Sequence, residues 1–464
     1  MADPLWTLTI AQLGELFRRG ATTPSDALEA VLARLHAVNP RLNAVVALAE
    51  EPARQAARES TQRWASGTQR GALDGIPFTV KDNIPTAGMP TSWGSAAYRA
   101  IAPAGDELPI ARLRAAGAVP FGKTNVPEFT SQGYTANALY GVTRNPWNLA
   151  LTPGGSSGGA VAAVASGIGP FAIGTDGGGS IRRPASHAGL FGLKPSRGRV
   201  ARCDGLPAIL LDYETIGPIA RSLADIEAVT AVIAVADARD PASLAMAEFC
   251  VPPWRACRIL YVPRFDPHPV DPEIAASTDA VAAALAADGH AVERGAAPFD
   301  VDGAARIQAT VSQSGLAWLE RDFAVAPVSE ALREMAAAGK ALPAAALFAA
   351  LDDAQALRAR MLAFFAAYDL LLTPAAAALP WPAEETHQSV IAGEAVGPRG
   401  HAVFTAFANI TGLPGLAVPG PRSVQGLPIG AQLVGPHGAD GLLLAIAGRL
   451  EGRFPGAPAI ADLG

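Results

Sequence analysis

Gly174-Thr-Asp-Gly-Gly-Gly-Ser180, entered from the apolar run Pro170–Ile173, is the segment that most restricts what this chain can become. The apolar run reads as a buried strand, and the glycines read as the loop it feeds. Glycine adopts φ > 0 freely and lets another group approach the main chain closely. Three in a row therefore present unobstructed N–H groups beside Ser180, an arrangement able to hold an oxyanion. A hydroxyl in that setting is a candidate nucleophile.

A second cluster, Gly154-Gly-Ser156-Ser157-Gly-Gly159, runs into the small-residue stretch Ala160–Ala165, which reads as a helix. Upstream, Asp74-Gly-Ile-Pro-Phe-Thr-Val-Lys81 reads as a turn and a strand that ends on a lysine. Residues 8–36 read as two amphipathic helices, the second opened by Thr23-Pro24-Ser25-Asp26 as a capping box with proline in the first turn. Ile110–Ala116 reads as a helix capped by Gly117, and Ala118–Phe121 as a strand. Later strands are expected at Arg258–Val262, Ala291–Glu293 and Tyr368–Thr373, with helices at Pro272–Asp288 and across about 303–366. The proline-rich stretch 374–400 reads as a surface excursion. Strands alternating with helices predict an α/β fold with a mixed sheet covered by helices on both faces. A single domain over 1–464 is expected, with an N-terminal helical segment over about 5–65 and a core over about 70–240.

Composition narrows the function classes. Half of the 464 residues are hydrophobic, enough for a large core. A net charge of −6 without a basic block argues against nucleic acid as a partner. Cys203, Cys250 and Cys257 form neither a CxxC pair nor a disulfide framework, which fits a reducing compartment. The N-terminus reads as no signal peptide, and no apolar run reaches the roughly 18 residues of a membrane span. A cytoplasmic protein without membrane contact is expected. The seven histidines are scattered without an HExxH pattern, so neither a metal nor another cofactor is expected.

A serine needs a base to become a nucleophile. Lysine serves only as the neutral amine, from an ordinary pKa of about 10.4 that burial lowers. The apolar residues Ile76–Val80 offer such burial to Lys81. Lysine, serine and serine in this order and spacing resemble the amidase signature family of serine hydrolases. The likeness extends to Thr86–Ser95, Arg112–Asn125, Glu128-Phe129, Thr143–Asn148, Gly189–Pro195, Gly217-Pro218, Thr411–Pro414 and Gly426–Gln432. It spans about 8–450 and is most specific over 74–221.

The resemblance implies Lys81 as base, Ser156 as a relay that follows a cis peptide bond, and Ser180 as the nucleophile that carries the acyl group. It implies an oxyanion hole from the N–H groups of Gly177, Gly178, Gly179 and Ser180. By family spacing, Thr130, Ser131 and Gln132 lie beside the triad and bring backbone carbonyls near the Lys81–Ser156 pair. Asp176 and Arg182 pair to stiffen the glycine loop, and Ser157 supports it. Two departures stand out. Gly177 occupies a position where a larger residue is common, and Glu214, next to Tyr213, one where aspartate is common.

The implied reaction is hydrolysis of C–N bonds in small amides, with carbamates (urethanes), aryl anilides and esters within reach, by a monomer or homodimer. A second reading makes the chain the amidase-like subunit of a tRNA-dependent amidotransferase. That relative carries a tyrosine-rich segment near an arginine that holds glutamine, whereas residues 310–370 here hold only Tyr368. Apolar segments 203–211 and 341–351 predict a pocket for a hydrophobic, neutral substrate.

Two other motifs compete. Gly117–Thr124 satisfies the phosphate-loop pattern GxxxxGK[ST], but it follows a helix and its interior reads as a strand. Gly154–Gly158 satisfies GxSxG, which in an α/β-hydrolase esterase would require a downstream acid and histidine.

Overall fold

The computed structural model describes residues 3–99, 101–320, 328–456 and 463. Among them, eleven strands form one mixed sheet. In spatial order these are Val45–Leu48, Val119–Thr124, Pro77–Lys81, Phe171–Asp176, Thr215–Ala220, Phe191–Lys194, Gly415–Pro419, Gly430–Val434, Leu370–Pro374, Arg258–Tyr261 and Ala291–Arg294. Pro77–Lys81 runs parallel to both of its neighbours, Val119–Thr124 and Phe171–Asp176. Lys81 and the glycine loop after Asp176 therefore emerge at the same edge, the carboxyl ends of parallel strands where α/β sheets place their ligand sites.

Alternation of side chains assigns the two faces. Phe78, Val80, Phe171 and Ile173 pack on one side with helices Leu223–Ile233 and Asp440–Arg453. Ala172, Ile219 and Ala417 pack on the other beneath helices Gly158–Ala165 and Arg182–Ala188. The sheet is covered on both faces, as expected. Helix Gly158–Ala165 is buried throughout. Its glycines serve close packing, since a Cβ on Gly159 would stand 2.4 Å from Asn125 N.

The opening helices are Ile10–Arg18 and Pro24–Leu42, and Thr23 and Asp26 form the expected capping box. The strand predicted over Pro170–Ile173 runs on to Asp176, so the loop proper begins at Gly177. The excursion after residue 374 departs from expectation. Ala375–Ala378 and Trp381 are buried, and only the later part, with the hairpin of Val390–Ile391 and Glu394–Ala395, is largely exposed. Among the described residues, no single helix is long and apolar enough to cross a membrane.

Candidate active site

Lys81 closes its strand fully buried, and its Nζ has three oxygen partners. These are Ser156 Oγ at 2.9 Å, Thr175 Oγ1 at 2.8 Å and Thr175 O at 3.1 Å. Ser156 sits in the loop before helix Gly158–Ala165, and the Gly155–Ser156 peptide bond is cis. Burial pulls the Lys81 ammonium down to about 7, against the opposing charges of Glu214 and Asp176. A lysine in this state exchanges protons near neutrality and can act as a base toward the hydroxyl it touches.

Ser180 lies on the loop between strand Phe171–Asp176 and helix Arg182–Ala188. The two serine loops are joined where Ser157 N donates to Ser180 O at 3.2 Å. Ser157 Oγ also donates to Thr175 O at 3.3 Å. The glycine loop is braced from beneath by Asp176. Its carboxylate accepts from Gly179 N at 2.6 Å and Ile181 N at 3.1 Å, and from Arg182 Nε and Nη2 at 3.0 Å each. Burial opposes ionisation of Asp176, but the Arg182 charge and hydrogen bonds outweigh it and hold the carboxyl well below its usual range. Arg182 is anchored in turn by Gln432, Asn409 and Thr405.

This bracing corrects one expectation. The Gly179 N–H already serves Asp176, whereas those of Gly177, Gly178 and Ser180 donate to no protein atom among the described residues. Three of the four amides expected to hold the oxyanion thus have no protein acceptor among the described residues. Gly179 must nonetheless be glycine, with φ at 112° and a would-be Cβ 2.2 Å from Thr405 Oγ1. At Gly177 a Cβ would stand 2.4 Å from Leu210 Cδ1, so Leu210 fills the space that a larger residue would take.

Thr130, Ser131 and Gln132 line a pocket together with Ser180. None of their carbonyls, expected near the Lys81–Ser156 pair, accepts from either residue among the described residues; Lys81 Nζ donates to Thr175 O and Oγ1. Ser131 O instead accepts from Arg399 Nη2 at 2.6 Å, and Thr130 Oγ1 accepts from Trp93 Nε1 at 3.1 Å. From the segment 203–211, Ile209 and Leu210 line this pocket, together with Leu316 and Met335, which the sequence did not single out. Segment 341–351 contributes none of it, and Phe348 is 76% exposed. Arg183 and Arg399 also face the pocket, which is therefore less neutral than the sequence implied.

Thr175, Arg183 and Gln308 are the contributors that sequence reasoning passed over. Thr175 lies inside the glycine motif and was open to notice. Gln308, whose Nε2 donates to Gly177 O at 3.2 Å, sits in an alanine-rich helix with nothing local to mark it.

The competing motifs do not assemble. Each histidine nitrogen with a hydrogen-bond partner among the described residues binds some group other than Ser156 or Ser180. Lys123 is buried within strand Val119–Thr124 and donates to Ile84 O and Thr91 Oγ1, so its ammonium is bonded inside the fold and the segment is a strand rather than a phosphate loop. No group of three or more His, Cys, Asp or Glu among the described residues is arranged to hold a metal ion.

Comparison with known proteins agrees with the geometry. The Amidase family model matches residues 26–444. A glutamyl-tRNA(Gln) amidotransferase subunit from Synechococcus sp. (strain CC9605) is 34% identical, over 96% of each chain. Indoleacetamide hydrolase of Bradyrhizobium diazoefficiens is 32% identical, over 97% of this chain and 87% of that protein. A bacterial aryl acylamidase belonging to the amidase signature enzymes superposes with a TM-score of 0.90 at 28% identity, over 99% of this chain and all of that one. Sequence and fold thus converge, and the chain belongs to the amidase signature family.

Proposed function

We propose that this chain hydrolyses C–N bonds of small amides through an acyl-enzyme on Ser180. Ser180 Oγ attacks the carbonyl carbon as its proton passes to Ser156, and Ser156 in turn passes a proton to neutral Lys81. The oxyanion forms against the amides of Gly177, Gly178 and Ser180. Lys81 and Ser156 return the proton to the leaving nitrogen, the C–N bond breaks, and water attacks the ester by the same relay. Carbamates, anilides and esters present the same carbonyl and are further substrates of the site.

The observation that supports this reading best is the buried Lys81 Nζ–Ser156 Oγ hydrogen bond beside a loop of free amides. Assaying purified protein on aliphatic amides, 4-nitroacetanilide, aryl carbamates and esters tests it. Amide hydrolysis lost in Ser180→Ala is the expected result. Absence of hydrolysis across that panel would refute it.

A second reading has support in the 34% identity to an amidotransferase subunit over 96% of both chains. On that reading the same triad releases ammonia from glutamine for a partner. Stoichiometric partners that co-purify and raise glutaminase activity would favour it, and full amidase activity of the isolated chain would count against it.

A further inference from the structure

Leu210 also lines a second cavity, of about 380 Å³, that takes no part in the relay. This cavity shares Ile209, Leu210 and Glu214 with the pocket of Ser180, so the two are neighbours across one wall. Two of its carboxylates share a single guanidinium. Arg202 Nε donates to Glu107 Oε1 at 2.7 Å, and Arg202 Nη1 to Glu214 Oε1 at 2.9 Å. Glu107 is fully buried, and its Oε2 has no hydrogen-bond partner among the described residues. Neither has the buried Oδ1 of Asn83, which lines the same cavity. Gly205 leaves the Glu107 carboxylate uncovered, since a Cβ there would stand 2.9 Å from Oε1 and 3.3 Å from Oε2.

The other charges nearby are engaged elsewhere. Lys123 acts on Glu107 but is drawn more strongly to Asp82, and it donates to neutral oxygens. Asp204 pairs with Arg239, and Asp212 with Arg197. Two buried acids facing one cation are costly to keep ionised. Burial indeed pushes the Glu107 carboxyl up, against the pull of Arg202. What the cavity lacks is a second cation, with N–H donors for Glu107 Oε2 and Asn83 Oδ1. An ammonium group carries three such donors. Residues 206–210 complete the wall as leucine, proline, alanine, isoleucine and leucine, which suits an alkyl chain better than a bare ion.

We infer that this cavity takes the alkylammonium end of a substrate whose amide lies at Ser180, with the chain passing Leu210. The inference rests on the reading of Ser180 as the nucleophile of an amide hydrolase. It also gives Glu214 a second part. Its carboxylate is the charge that most favours the Lys81 ammonium. A cation beside Glu214 would offset that pull and favour the neutral base that the relay needs.

Binding tests the inference independently of turnover. The Ser180→Ala protein is titrated calorimetrically with ω-aminoalkanamides and N-(ω-aminoalkyl)acetamides of several chain lengths, and with the hydroxyl counterpart of each. The first series carries the ammonium on the acyl half, the second on the leaving half. In one series the amine is expected to bind at least tenfold more tightly than the alcohol, and Glu107→Gln should abolish the difference. Gly205→Ala, whose added methyl crowds that carboxylate, should reduce it and keeps the test open if Glu107→Gln fails to fold. Equal binding of amine and alcohol in both series, or a preference that survives both substitutions, would overturn the inference. In the wild type, kcat/KM should favour the amines by a similar ratio. Ser180-dependent hydrolysis that prefers the alcohols would overturn the inference and leave the hydrolase reading intact. Glu107-dependent amine binding with no Ser180-dependent hydrolysis of any amide would support the cation site and overturn the hydrolase reading.

Discussion

Thr175 gives Lys81 two acceptors, its carbonyl at 3.1 Å and its hydroxyl at 2.8 Å, and so decides how Lys81 can meet Ser156. The carbonyl can only accept, so it fixes one N–H of Lys81. Asn83 Nδ2 donates to the Thr175 hydroxyl at 3.0 Å. A neutral lysine has two N–H groups and one lone pair. With the N–H groups directed to Thr175, the lone pair is left for the proton of Ser156, which is the arrangement the relay requires.

Removing the Thr175 hydroxyl should therefore impair proton transfer while leaving the triad in place. Thr175→Val is expected to lower kcat more than it raises KM, and by less than Lys81→Ala does. Steady-state kinetics of both variants on one amide make the comparison. A Thr175→Val enzyme with unchanged kcat would remove Thr175 from the account.

The pH profile follows from the state of Lys81. The base is the neutral amine, and burial lowers its pKa to about 7, so the active form predominates above neutrality. kcat/KM should rise through about pH 7 and level off on the alkaline side. Lys81→Ala should lose about 10²–10⁴ in acylation rate from the base alone, with loss of the relay adding to it. A histidine variant that silences the enzyme while Lys81→Ala does not would contradict this assignment.

The glycine loop should depend on the Asp176–Arg182 pair for stability as well as activity. Both side chains are fully buried, and breaking a buried pair from one side typically costs about 3–5 kcal/mol. Arg182→Gln would also orphan bonds to Asn409 and Gln432. Urea unfolding should show a lower midpoint, with turnover falling further than stability alone explains. A variant of wild-type stability would show that the pair does not brace the loop.

Much of this was legible in the sequence where local chemistry and final position coincide. Thr23 and Asp26 cap their helix because the capping box is local. Lys81, Ser156 and Ser180 each stand out beside an apolar run or flanking glycines, but only the resemblance of their order and spacing to a known family gave them roles. Strand Thr215–Ala220 was not, because Gly217-Pro218 reads as a turn. In the sheet it lies between Phe171–Asp176 and Phe191–Lys194, with Pro218 opposite Ile173. Tertiary pairing there overrides local preference. Arg183 was invisible for a different reason. Beside Arg182 in the sequence it reads as one of two similar cations, yet Arg182 turns beneath the loop to Asp176 while Arg183 lines the pocket.

Fluorophosphonate labelling followed by peptide mapping tests the central claim most directly, because it identifies which serine becomes the nucleophile. The adduct is expected on Ser180 in the wild type, absent in a folded Ser180→Ala protein, and slow to form in Ser156→Ala and Lys81→Ala. An adduct on Ser156 that persists in Ser180→Ala and vanishes in Ser156→Ala would contradict the account.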